Sequence, residues 1–346
     1  MKKNLSALCL ALCLALTLAA CAPKAPPVTP APTPTPTVAP AEKTKVNLAV
    51  LKGPTGIGAV KLMADNDAKT AQNDYTVTIA ADNPEVAGLL TKGDVDIAAM
   101  ASNVAASLYQ KTKGELQTVA LGTLGVLYIL EDGDSVATMD DLAGRTVYAT
   151  GQGANPEYVL RYLLEQNGLE LGGDVNVEWL PSDELVAKAA AGQAPLCMLP
   201  VPAATALLAK TADTADKTIP HFRQALDLTK EWQALDNGSE LIMTSVVVRK
   251  AFAAEHPEAV ADFLREYAAS IDYVNQNIPE ASQLVADYGI TPNAKIAAAA
   301  IPQANLVCIT GAEMQPAIQT YYEVLFAADP KSVGGALPDD GFYYAG

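Results

Sequence analysis

Val46-Asn-Leu-Ala-Val-Leu-Lys-Gly-Pro-Thr-Gly-Ile-Gly58 changes character partway along its length. Val46 to Leu51 is rich in β-branched and aliphatic residues and predicts a strand. Lys52 to Gly58 reads as a glycine-rich loop, and an apolar-periodic helix follows through Met63. A strand feeding a glycine turn and then a helix is the opening unit of an α/β sheet.

The same alternation continues downstream. Tyr75 to Ile79 alternates as a half-buried strand does, Pro84 to Thr91 predicts a short helix, and Val95 to Ala99 a buried strand. Ser102-Asn103 reads as the cap of a helix through Tyr109, and Leu116 to Ala120 as another strand. The pattern restarts at Val126 to Leu130. Met139 to Arg145 predicts one helical turn with a glycine stop, and Thr146 to Thr150 a strand. Asn155 as N-cap with Pro156 in first position starts a helix to Gln166. Val175 to Leu180, a helix over Ser182 to Ala191, Leu196 to Leu199 and a helix over Ala203 to Ala209 complete this second unit. Leu241 to Val248 predicts a strand. The rest is mainly helical, over His256 to Asn275, Pro279 to Tyr288, Pro292 to Ala300 and Glu313 to Phe326. A Gly/Pro-rich end, Lys331 to Gly346, is expected to pack loosely. The two α/β units share a layout and no evident sequence repeat.

Upstream, Lys2 and Lys3 precede an apolar run from Leu5 to Ala20, the layout of a secretory signal. The run is short for a spanning helix, which needs roughly twenty residues. It ends in Leu18-Ala-Ala-Cys21, similar to a bacterial lipobox in which the cysteine is lipidated and begins the mature protein. A plain signal cut at Ala-x-Ala, with Cys21 incidental, is the other reading. Residues 21–44 are rich in Pro, Thr and Ala and predict an extended polyproline tether, with a reach on the order of 70 Å.

The charge of −16 argues against nucleic acid, which requires a basic surface, and against electrostatic adhesion to anionic lipid. Cys9 and Cys13 leave with the signal; Cys197 and Cys308 remain in apolar stretches, as free thiols or as one disulfide. His221 and His256 have no partners at metal-ligand spacing, so no metal or other cofactor is expected. No His-based catalytic triad is evident.

Several segments together resemble a known family. Leu89-Leu-Thr-Lys-Gly-Asp-Val-Asp-Ile-Ala98 resembles the "L…G.vDi" segment of type II periplasmic binding proteins. Asp140 to Val147 resembles their entry to the second lobe, and Pro257 to Leu264 with Asn275 to Ala281 their late helices. Behind a lipobox, the combination resembles the SsuA/THI5 (NMT1-like) group of solute-binding lipoproteins of ABC importers, over nearly all of Lys45 to Phe326. The resemblance implies an α/β, two-lobed type II periplasmic-binding-protein fold with two crossing strands, near Thr123 to Leu127 and Glu240 to Ser245. The implied domains are a signal peptide (1–20), the tether (21–44), a discontinuous lobe 1 (45–124 and 245–346) and lobe 2 (125–244). It implies a monomer, lipid-anchored on the extracytoplasmic face of the membrane, that passes a small solute to an ABC permease without enzymatic activity. The family spans sulfonates, nitrate-like anions and pyrimidine or related heterocycles.

The site follows from a rule that needs no family: in open α/β sheets, ligands bind beyond the carboxyl ends of the strands. That selects Lys52, Gly53, Pro54, Thr55, Gly56, Ile57 and Gly58, where glycines let the backbone approach a ligand and Lys52 offers a cation. It also selects Asn83, Ser102, Asn103, Thr123, Gln152, Gly153, Ala154, Asn155, Pro200 and Thr244. Ser102 and Asn103 read equally as helix caps; Asn155 reads more as a pure cap, with Gln152 and the Gly153 and Ala154 amides facing the cleft. Unpaired N–H groups at helix starts favour anionic or acceptor-rich groups by roughly 0.3–1 kcal/mol each. No arginine lies in these loops; Arg145 and Arg161 sit elsewhere. The first loop matches neither a Walker A nor a G-x-G-x-x-G pattern. Tyr128 and Trp179 offer rings for stacking, although aromatics in strands more often join the core. The rival functions are an enzyme of this fold acting on a menaquinone or pyrimidine precursor, and a surface sensor or adhesin lipoprotein.

Overall fold

The computed structural model describes residues 42–212 and 219–345, and those from Lys43 onward belong to one compact unit. The signal, Cys21 and nearly all of the tether lie outside the described residues.

β1 (Lys45–Leu51), β2 (Asp74–Ala80), β3 (Ile97–Ala101) and β4 (Leu116–Thr123) alternate with helices α1 (Pro54–Asp67), α2 (Asn83–Lys92) and α3 (Ser102–Lys111). β3 is buried along its whole length, as an interior strand covered on both faces must be. The chain then leaves for a second sheet of β5 (Leu127–Asp132), β6 (Thr146–Ala149), β7 (Asn176–Trp179), β8 (Leu196–Pro200) and β9 (Phe222–Asp227). Its helices are α4 (Asn155–Gln166), α5 (Ser182–Ala190), α6 (Ala203–Thr211) and α7 (Leu228–Ala234). The chain returns through β10 (Thr244–Arg249), α8 (Lys250–Glu255), α9 (Pro257–Gln276), α10 (Ile278–Asp287), α11 (Ala294–Ala300), β11 (Leu306–Ile309) and α12 (Gly311–Ala328).

The first sheet has the order β11-β4-β10-β3-β1-β2, and the second β7-β6-β8-β5-β9. β1 runs parallel to β2 and β3, while β10 lies antiparallel between β3 and β4, and β11 antiparallel to β4. The ends of β1 to β4 and the starts of β10 and β11 therefore share one edge. In the second sheet β6 is parallel to β7 and β8, and β5 is antiparallel to β8 and β9. The chain crosses between sheets at 124–126 and again at 235–243. Asn305 holds the first crossing with its carbonyl, which accepts from the Leu124 N–H at 3.1 Å, and with its side-chain amide, which donates to the Gly125 carbonyl. The Met243 N–H ties the second crossing to the Thr123 carbonyl at 3.0 Å.

Trp232 on α7 is fully buried, with its ring centroid 4.9 Å from that of Tyr162 on α4 and 5.5 Å from that of Tyr321 on α12. Cys197 and Cys308 are free thiols. Burial pushes the Cys197 thiol up to about 12 and the Cys308 thiol up to about 11.

Four expectations are corrected. The glycine loop is shorter than expected, because Pro54 stands at the first turn of α1 and fixes a helical φ there. Ile57 and Gly58 are thus helical, and Ile57 is core. Ser102 and Asn103 do not cap α3, whose cap position is Ala101 without a side-chain bond. Asn155 does not cap α4 either: it lies inside the first turn, and Glu157 reaches back instead to accept from the Gly153 N–H at 2.8 Å. Finally, the C-terminal segment is pinned to the core at two points, with its middle, Gly334 to Leu337, exposed. Val333 and Phe342 are fully buried, and the Phe342 ring centroid lies 5.0 Å from that of Tyr109 on α3. Its glycines serve sharp turns, not looseness: Gly334 has φ 87° and runs against the Ser107 backbone of α3.

Candidate binding site

The loop edges of the two sheets meet. Lys52, following β1, pairs across the gap with Asp183 in the first turn of α5 at 3.3 Å. Both side chains are exposed. Deeper, Asn155 is fully buried and spends its whole side chain on protein partners. Its amide donates to Ser102 Oγ (2.9 Å) and the Met243 carbonyl (2.6 Å), and its oxygen accepts from the Tyr321 hydroxyl (3.0 Å). Ser102 donates in turn to the Ile242 carbonyl at 2.7 Å. Asn83 is committed too, its oxygen accepting from the Ala101 N–H at 2.9 Å. The side chains of Ser102, Asn83 and Asn155 therefore brace the edge.

What stays open is the start of α1. Gly53, Thr55 and Gly56 are buried. Thr55 turns its hydroxyl back onto β1, accepting from the Leu51 N–H at 2.9 Å. Among the described residues no acceptor takes the N–H of Gly53, Thr55 or Gly56, and the first turn carries neither a side-chain cap nor an acidic residue. Gly56 is required by close approach: a Cβ there would stand 2.8 Å from the Leu51 carbonyl oxygen. Buried backbone donors without acceptors are costly, so an acceptor at this helix start would be favoured.

Beside it lie hydroxyls in the same condition. Thr123 Oγ1, Thr244 Oγ1 and the Tyr267 hydroxyl are buried and have no hydrogen-bond partner among the described residues. Asn103 is similar: its amide donates to the Ser332 carbonyl at 3.1 Å and reaches the Gly153 carbonyl at 3.5 Å, while its oxygen is unpaired. A Cβ on Gly122 would stand 2.8 Å from the Tyr267 hydroxyl and 3.1 Å from Thr244 Oγ1, and one on Gly58 3.6 Å from the same hydroxyl. Two glycines thus make room for one phenol. Burial raises the Tyr267 hydroxyl well above the usual tyrosine range, so it remains a neutral donor. Sequence reasoning missed Tyr267; on α9 it reads only as part of an apolar stripe.

The remaining expected residues stand around this group. Pro54 is the first residue of α1, and Gln152 and Gly153 are exposed in the loop before α4, with Ala154 buried behind them. Pro200 ends β8. Tyr128 is buried, its hydroxyl pushed up to about 12 by burial and then by Asp227, and Trp179 is partly buried at the end of β7.

Residues 67–300 match the family model described as ABC transporter, phosphonate, periplasmic substrate-binding protein. No curated protein matches the chain in sequence. Among solved structures, an ABC transporter from Parabacteroides distasonis is similar at 22% identity, over 87% of this chain and 99% of that one, with a TM-score of 0.69. The periplasmic aliphatic sulphonate binding protein SsuA from Escherichia coli is similar at 15% identity, over 88% and 92%, with a TM-score of 0.68. The periplasmic nitrate-binding protein NrtA from Synechocystis PCC 6803 is similar at 14% identity, over 88% and 92%, with a TM-score of 0.57. At these identities the likeness shows the fold, which is the two-lobed one that the sequence resemblance implied.

Proposed function

Because the chain belongs to the family of ABC-transporter periplasmic substrate-binding proteins described for phosphonate, we propose that it captures a small organic oxyanion between its two sheets and delivers it to a permease. The observation that carries this reading is the buried, uncapped, acid-free start of α1, at the edge where Lys52 meets Asp183 of the second sheet's loops. A tetrahedral or planar oxyanion supplies the acceptors that Thr55 N–H and Gly56 N–H lack, and the helix dipole adds a favourable field. The hydroxyls of Thr123, Thr244 and Tyr267 supply further donors without chemistry. A solute touching both lobes favours their closed arrangement, which is how capture becomes a signal to the permease.

In this reading lobe 1 comprises 45–124 and 245–346, and lobe 2 comprises 125–244. The lipidated Cys21 holds the protein at the extracytoplasmic face, with residues 21–44 as tether. The protein acts as a monomer and catalyses no reaction.

Thermal shift of the purified full chain with methylphosphonate, methanesulfonate, nitrate and a neutral pyrimidine tests the solute class. At a hundredfold excess over Kd a ligand stabilises by about 2.7 kcal/mol, which for a domain this size is a rise of several degrees. At least one oxyanion is expected to give that rise. A response to the pyrimidine alone would sink the oxyanion reading.

A further inference from the structure

The two lobes meet along two sides that are built differently. On one side α4 packs against α3 and α12. Asn155, fully buried in the first turn of α4, bonds there to Ser102 and Tyr321 of the first lobe and to the Met243 carbonyl in the second crossing. The Tyr321 ring continues the contact to Trp232, whose indole N–H donates to the Ser239 carbonyl in the same crossing at 3.1 Å. Drawing α4 away would leave these buried donors and acceptors unmet.

On the other side α6, packed on α5, touches α11, which reaches α1 through α10. The threonine hydroxyls of α6 do not join that contact: Thr205 donates to the Pro202 carbonyl at 2.8 Å and Thr211 to the Leu207 carbonyl at 3.0 Å. Among the described residues, the one ion pair between the lobes lies on this side, Lys52 with Asp183 at 3.3 Å, and both side chains are exposed. The neighbouring carboxylates are engaged locally. Asp82 and Glu85 accept from the Glu85 and Ala81 N–H groups, and Glu184 pairs with Lys188 at 3.6 Å. An exposed pair is weak and is screened by salt, whereas the buried amide is not.

Resting on the reading that the lobes close on a solute, we propose that they part by turning about Asn155, and that Lys52 with Asp183 is a salt-sensitive latch on the side that opens.

Hydrogen exchange over residues 51–57 reads the latch side, because the N–H groups of Gly53, Thr55 and Gly56 have burial and no acceptor to slow them. Acrylamide quenching of Trp232 reads the pinned side, and Trp179→Phe leaves it as the sole tryptophan. In the full chain, raising salt from about 20 mM to about 500 mM is expected to speed exchange over 51–57 by about two- to fivefold, with Trp232 quenching unchanged. Asp183→Asn is expected to give the same acceleration at low salt and no further response to salt. Exchange that ignores both salt and the substitution removes the latch. Trp232 becoming quenchable together with the faster exchange means that the lobes part on both sides, and removes the pivot. Tyr321→Phe keeps the ring beside Trp232 and takes one bond from Asn155. It is expected to raise Trp232 quenching at high salt by about two- to fivefold, and unchanged quenching takes Asn155 out of the pivot. No solute enters these measurements, so their failure leaves the oxyanion reading standing, and the thermal-shift test of that reading is independent of them.

Discussion

Tyr267 carries a hydroxyl that the core leaves unsatisfied, beside the proposed binding site. Its hydroxyl is buried and unpartnered, yet Gly58 and Gly122 are shaped around it. A buried donor left unmade costs about 1–3 kcal/mol, so in the empty protein Tyr267→Phe is expected to leave the denaturation midpoint unchanged or raised. With oxyanion present, loss of one donor is expected to weaken binding by about five- to tenfold, read by calorimetry. A fall in stability with unchanged affinity would make Tyr267 a packing residue instead. The positions of the glycines and threonines at strand ends were legible in the sequence because strand ends and glycine turns are local signals. Tyr267 was not, because its place depends on how α9 packs on α1 and β4, which no local pattern encodes. Asn155 shows the opposite failure. Its position before Pro156 is a fair cap signal, but full burial obliges its side chain to satisfy Ser102, Met243 and Tyr321 first.

At the scale of elements, the first turn of α1 depends on its approach to β1. Gly56→Ala would set a Cβ 2.8 Å from the Leu51 carbonyl oxygen and 3.1 Å from Ile290 Cδ1, pushing the helix off the strand. It is expected to cost about 1–3 kcal/mol in urea denaturation. Gly88→Ala, inside α2 with nothing within 4 Å of its Cβ, is expected instead to gain about 0.4–1 kcal/mol. The second sheet is fastened by Glu131 on β5, which meets Arg145 at 3.3 Å and Arg223 on β9 at 2.8 Å. Burial alone would raise the Glu131 carboxyl, but Ser135, the Val136 N–H, Arg145 and Arg223 together hold it below the usual range. A lowered folded-state value means that its stabilisation is present above the ordinary carboxylate range and lost as pH falls through the folded value. Glu131→Gln is therefore expected to flatten the loss of stability below about pH 4, measured by denaturation against pH. Most strands and helices were legible from alternation and period. β9 was missed because Phe222-Arg-Gln-Ala-Leu-Asp227 is a polar edge strand without clean alternation, and β11 because four residues are too few to show a period.

For the whole molecule, the two-sheet layout followed from strands alternating with helices, broken and restarted once. What the pattern did not carry is how the crossings are held. Asn305, far along the chain and with φ 42°, grips Leu124 and Gly125 through contacts that exist only once the first sheet has closed. The same scale bears on the proposed anchoring. None of the helices among the described residues is long and apolar enough to cross a membrane. A net charge of −16 gives no attraction to anionic lipid. In the reading proposed above, retention at a membrane would come from the first residues, through either the apolar run Leu5 to Ala20 or a lipid on Cys21. The two differ in one test. A single acyl chain binds only marginally, so lasting attachment through Cys21 requires the several chains of a bacterial lipoprotein, all of them lost with the thiol. Cys21→Ala is expected to move the protein from the membrane fraction to the soluble fraction while solute affinity, set by residues far along the chain, is unchanged. A variant that stays in the membrane fraction assigns the anchor to the uncleaved apolar run and removes the lipid from Cys21.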